Sequence, residues 1–92
     1  DDGDPVDITP PVLTDLTGQV HEDGRFTLRW LTDEPADTEV HFEPSGEFLD
    51  PELVTEHSKT FRGSLGARYV FEIYSTDAAD NQGFGGRWSI QL

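Results

Sequence analysis

Three histidines, five serines and nineteen acidic side chains give this 92-residue chain its most evident capacity for chemistry, and their spacing limits what they can do. His21, His41 and His57 form no His-x-His or His-x-x-x-His pair, so nothing has metal-ligand spacing. His21 falls in a turn and His41 on the polar phase of an alternating run, so both are expected at the surface. None of Ser45, Ser58, Ser64, Ser75 and Ser89 lies in a Gly-x-Ser-x-Gly turn. His57 and Ser58 are adjacent, and on a strand adjacent side chains point to opposite faces, which is poor geometry for a triad. Carboxylate pairs are abundant, but a glycosidase pair needs a deep cleft to raise the pKa of one acid, and so small a domain rarely offers one. Gly83-Phe84-Gly85-Gly86 has no following helix and no lysine, so it reads as a loop or bulge rather than a phosphate cradle. No cysteine is present, which excludes disulfides, thiolate zinc sites and thiol nucleophiles. The expectation is a chain without catalytic residues.

The elements that hold these residues are strands. Phe26, Leu28 and Trp30 alternate with Thr27, Arg29 and Leu31, a period of two that buries one face. The same alternation recurs at Val40–Phe42, at Tyr69–Phe71–Ile73 and at Trp88–Ile90–Leu92. Val12, Leu13 and Leu16 belong to a short first strand, Phe48-Leu49 to another, and Val54 to Arg62 to a weaker one ending in Phe61. Turn chemistry separates the runs: His21–Gly24, Thr32–Asp37 with Pro35, Pro44-Ser45-Gly46, Asp50-Pro51, Gly63–Gly66 and Thr76–Gly83. No segment has helical periodicity. Short strands at spacings of about 8–12 residues with a turn between each pair point to an antiparallel β-sandwich.

Composition sets the outer bounds. The length allows one domain, preceded by an acidic linker over residues 1–9 that begins Asp-Asp-Gly-Asp-Pro-Val-Asp. Six basic residues against nineteen acidic give a net charge of −13, which argues against nucleic acid as a partner. No apolar run reaches the ~18 residues of a membrane span, so membrane insertion is not expected. The absence of methionine suggests a processed or excised fragment. The acidity is consistent with solubility, or with life at high salt or high calcium, where carboxylates hold hydrated cations.

Phe26–Val40, which contains Trp30 and the run Thr32-Asp33-Glu34-Pro35-Ala36, together with His57-Ser58 and Tyr69–Asn81, resembles the fibronectin type III family. The resemblance covers residues 10–92 and is nearest to the versions in secreted and surface proteins of bacteria and archaea. The domain that precedes the catalytic part of purple acid phosphatases is also similar. The resemblance implies a seven-stranded antiparallel immunoglobulin-like β-sandwich, with Trp30 at the centre of the core and Tyr69 as a corner tyrosine bonded to backbone in the preceding turn. Two departures stand out: the turn before Tyr69 lacks the family's usual proline, and Lys59 takes an inward position where the family has an apolar residue.

On that topology the N-terminus and three loops share one pole. It receives Asp1, Asp2, Asp4, Asp7, Asp33, Glu34, Asp37, Asp50, Glu52, Asp77 and Asp80, with no lysine or arginine. Arg25, Arg62 and Arg68 fall at the other. The acidic pole is either a solvated surface, a weak calcium site built from Asp77, Asp80 and Asn81 with Asp7 and Asp33 approaching, or a contact for a neighbour's arginine-bearing end, as in head-to-tail self-association. The function expected is that of a non-catalytic spacer or interaction module in a multidomain protein that is extracellular, on the cell surface or periplasmic. Its partners would be neighbouring domains of the same polypeptide or another protein. The alternatives are a carbohydrate- or surface-binding module using Trp88, Tyr74 and Phe84, and an accessory domain packed on a secreted hydrolase.

Overall fold

The computed structural model describes residues 9–43 and 46–92. The linker residues up to Ile8, and Pro44 and Ser45 of the expected Pro44–Gly46 turn, lie outside the described residues. The chain is all-β, with no helix among the described residues: β1 (Leu13–Val20), β2 (Arg25–Glu43), β3 (Glu47–Arg62), β4 (Arg68–Thr76) and β5 (Gln82–Gln91). Every pairing is antiparallel, in the order β1-β2-β4-β5, and β3 also pairs with β2.

Five strands stand where seven were expected, because two expected breaks are bends within continuous strands. The ladder of β2 changes register between Leu31 and Ala36 and again between Ala36 and Thr38, around Pro35, while the chain stays extended. Pro51 interrupts β3 at the matching level, just after Asp50 pairs with Thr38. A proline has no N–H to give the ladder, so a sheet that meets two of them at one level can fold there without losing further bonds. The fold-over is large. Sixteen positions separate Phe26 from Phe42, roughly 50 Å in an extended strand, yet their ring centroids are 6.2 Å apart. Phe48 and Phe61, at the two ends of β3, are 5.7 Å apart.

The sheet therefore curls on itself and encloses its own core. Phe26, Leu28 and Trp30 from the first half of β2 face Val40 from its second half, with Phe71 and Ile73 of β4 completing the cluster. Phe26 stacks on Phe61 at 5.6 Å and on Tyr69 at 5.4 Å. The Tyr69 hydroxyl accepts a hydrogen bond from the Ser64 backbone N–H at 3.0 Å, tying the strand to its preceding turn. Lys59 is half-buried in the inward phase, and its ammonium lies 4.7 Å from the centre of the Phe48 ring. Its aliphatic stem covers core while its charge meets an aromatic face.

Irregularities interrupt each outer strand. Asp15, at φ 56°, sits in the register shift of β1, and Pro51 lies within β3 where its ladder with β2 shifts. The last strand begins at Gln82, six residues before the expected Trp88, and takes in the glycine run, with a register shift opposite Ile73/Tyr74. Gly86 adopts φ 103° there, a conformation that side chains resist. Bulges and prolines at edges deny a second chain a straight row of donors and acceptors.

Candidate functional site

The bend and the β4–β5 turn meet at one end of the molecule. Ala36 in the bend forms a bridge with Asp77, and the Asp37 carboxylate accepts the Thr76 N–H at 2.8 Å. Asp33, Glu34, Asp37, Asp50, Glu52, Asp77 and Asp80 gather here, while Arg25 pairs directly opposite Arg62 near the far tip of the ribbon. The terminal aspartates of the expected pole, Asp7 included, lie outside the described residues.

Most of these carboxylates serve the backbone. Asp77 is buried, and its Oδ1 accepts the N–H groups of Ala79 and Asn81, each at 2.9 Å. Its Oδ2 accepts the Asn81 side-chain amide at 3.1 Å. Asp77 thus shapes the turn in which Asn81 and the exposed Asp80, at φ 65°, are held. Asp33 accepts the Val12 N–H at 2.8 Å and donates its own N–H to the Val12 carbonyl at 3.3 Å, fastening the start of β1 to the bend. Burial raises the Asp37 carboxyl above its ordinary range, the Thr76 N–H opposes that, and the Glu39 charge adds to it. Among the described residues no group of three or more His, Cys, Asp or Glu side chains is placed to hold a metal ion.

The histidines are packed more closely than their spacing suggested. His21 is half-buried, 2.8 Å from the Thr27 hydroxyl, and His41 contacts the Glu39 carboxylate. His57 is buried and stacks flat on Trp30, with centroids 5.1 Å apart and planes 5° from parallel. The Thr32 hydroxyl donates to the Val54 carbonyl at 3.3 Å and so accepts from His57 Nε2–H at 2.9 Å. The Thr38 hydroxyl then donates to Nδ1 at 2.7 Å. This chain satisfies a neutral imidazole completely, and a second ring proton would require the Thr38 hydroxyl to turn round and accept. The signal was present in the sequence: counting back by twos from Phe61 passes through Lys59 to His57, all in the inward phase.

Burial lowers the His57 pKa below its usual 6.5, against a smaller opposing effect of the Val54 carbonyl. Between that ordinary value and the lowered one, the unfolded chain binds more protons than the folded one. Stability from this group therefore falls as pH drops below about 6.5. Asp37 runs the other way, since its raised pKa gives stability that is lost as pH rises through the acid range. Urea melts at pH 7.5 and pH 5.5 are expected to show a loss in the native chain that shrinks in His57→Gln, which cannot titrate. An identical pH dependence in both chains would remove His57 as its source.

An open groove of about 250 Å³ separates β1 from β5, lined by Leu16, Thr17, Gly18, Leu28, Phe71, Trp88, Ser89 and Ile90. None of these residues carries an acid or base, so the groove offers apolar contact and no proton transfer. Trp88 is 47% exposed at its rim, with Nε1–H bonded to the Gly85 carbonyl at 2.8 Å. Asp33, Asp37, Asp50 and Asp77 accept backbone N–H groups, His57 is bonded to two hydroxyls, and the groove is lined by residues without an acid or base. No protein-family model, curated protein or solved structure matches the chain.

Proposed function

We propose that the chain is a non-catalytic spacer module of an extracellular or cell-surface multidomain protein, built as a fibronectin type III-like sandwich whose seven strands are the five observed ones counted on either side of each bend. The observation that carries the reading is that the start of β1 and the end of β5 lie at opposite ends of the sheet. Val12 is clamped to Asp33 at the acidic bend, whereas the Leu92 N–H donates to the Ala67 carbonyl at 2.9 Å, at the far tip. Neighbours joined at these two points are held apart by the length of the curled sheet. The Tyr69–Ser64 bond supports the type III assignment, and the interrupted strand edges suit a module that must stay monomeric beside copies of itself.

The absence of cysteine allows site-specific labelling. Val12→Cys and Leu65→Cys place dyes on exposed residues at the two ends. Energy transfer between them is expected to report one narrow separation, unchanged when folded domains are fused to both termini. Two interconverting separations, or a collapse on fusion, would overturn the spacer reading.

A further inference from the structure

The outer face of the arm that contains β4 and β5 carries a pattern that crosses four strands. Leu49 stands opposite Glu39, Glu39 opposite Tyr74, and Tyr74 opposite Phe84, so the four form one cross-strand row. The adjacent row is Glu47, His41, Glu72 and Arg87. Both rows alternate with Val40, Phe71 and Ile73, which are buried in the core, and so face outward. Leu49 and Phe84 are each 56% exposed. Tyr74 lies between two other rings, 4.9 Å from His41 and 5.1 Å from Phe84. Its hydroxyl donates to Glu72 at 3.4 Å. Burial, and then the charges of Glu72 and Glu39, hold that hydroxyl above its ordinary pKa.

Charge decides the kind of partner. Glu39, Glu43, Glu47 and Glu72 share this face with two arginines: Arg87, which is already bonded to Glu43, and Arg68, which lies farther along β4 and donates to the Ser89 hydroxyl; Glu39 is itself bonded to His41. A sugar ring stacks on a flat aromatic platform, but these rings are tilted by 48° and 39° from one another. A guanidinium needs only a single ring and flanking carboxylates, and its methylene stem gains from exposed apolar neighbours. We infer that this face binds an arginine-rich segment of a protein partner, with guanidinium groups against Tyr74 and Phe84 between Glu39 and Glu72, and side-chain stems on Leu49 and Phe84. The inference goes beyond the spacer reading, since a module could separate its neighbours with this face bare.

The probe is a hexa-arginine peptide with blocked ends, titrated into the full chain and followed by amide NMR shifts. The salt is about 0.15 M NaCl, where long-range attraction is screened. Shifts are expected to concentrate around Tyr74 and Phe84. Tyr74→Ser with Phe84→Ser removes no charge and is expected to weaken binding about tenfold. Asp50→Asn with Glu52→Gln removes two charges at the bend and is expected to change it less than about twofold. Should the aromatic pair variant lose its amide dispersion, Phe84→Ser alone carries the test, with an expected loss of about threefold. Equal binding by the aromatic variant, or a larger loss from the bend variant, would reduce the effect to polycation on polyanion and overturn the inference. Shifts at Tyr74 and Phe84 from a neutral cello-oligosaccharide, with none from the peptide, would overturn it in favour of carbohydrate.

Discussion

Trp30→Ala lowers the stability of the chain by about 3–5 kcal/mol, a large part of the roughly 5–15 kcal/mol that holds a domain of this kind together. Trp30 is 2% exposed and is the largest fully buried side chain. Its removal opens a cavity at the centre of the curl, where β2 faces its own second half, and a continuous strand cannot easily collapse onto the gap. Two polar groups lose their partners as well. The indole N–H donates to the Ser75 hydroxyl at 3.1 Å, and Ser75 has no exposed surface at all. His57 loses the ring that covers one of its faces. Urea denaturation measures the cost, and a midpoint within error of the native chain would show that Trp30 is not central. Fluorescence supplies an independent check, because Trp88 is the only other tryptophan. Trp88→Phe is expected to leave a blue, poorly quenched indole, and Trp30→Ala a red, readily quenched one.

Gly83→Ala is expected to cost about 1–3 kcal/mol, through overpacking that the backbone cannot relieve. A Cβ at Gly83 would stand 2.2 Å from the Pro11 carbonyl oxygen and 2.9 Å from Leu13 Cδ1. The first contact is with backbone, so no rotamer change removes it. The start of β1 must move away, and the Val12–Asp33 clamp goes with it. Hydrogen exchange at the Val12 and Asp33 amides is therefore expected to accelerate more than exchange in β4. Gly66→Ala strains the chain in a different way: nothing lies within 4 Å of its Cβ, and its cost, about 1 kcal/mol or more, comes from a positive φ of 86° that Gly83 does not have. That strain sits in the turn before β4, so it is expected to leave exchange at Val12 and Asp33 unaccelerated relative to β4. If Gly83→Ala also leaves it unaccelerated, the close approach of β1 to β5 is not as described.

The all-β, antiparallel character was legible in the sequence because alternation is a local signal. Phe26-Leu28-Trp30 and Tyr69-Phe71-Ile73 name their own buried face without reference to anything distant. The inward place of Lys59 was readable by the same count, as was that of His57. Strand continuity was not legible. Pro35 and Pro51 mark where the ladder fails, but whether a chain turns or bends at a proline depends on what pairs with it. Here β2 and β3 meet their prolines at one level and fold together.

The candidate sites divide along the same line. The sequence by itself determined that acidic residues crowd the bend segments and that no nucleophile–base spacing exists. Only the tertiary structure decided what each carboxylate does. Asp77 and Asp33 are occupied by backbone N–H groups of residues two to twenty-one positions away, while Glu39 meets the His41 ring and Glu72 the Tyr74 hydroxyl on the outer face. Charge is a property of composition, but the availability of a charge is set by which donors the fold brings within 3 Å of it, from the same turn at Asp77 and from a distant segment at Asp33.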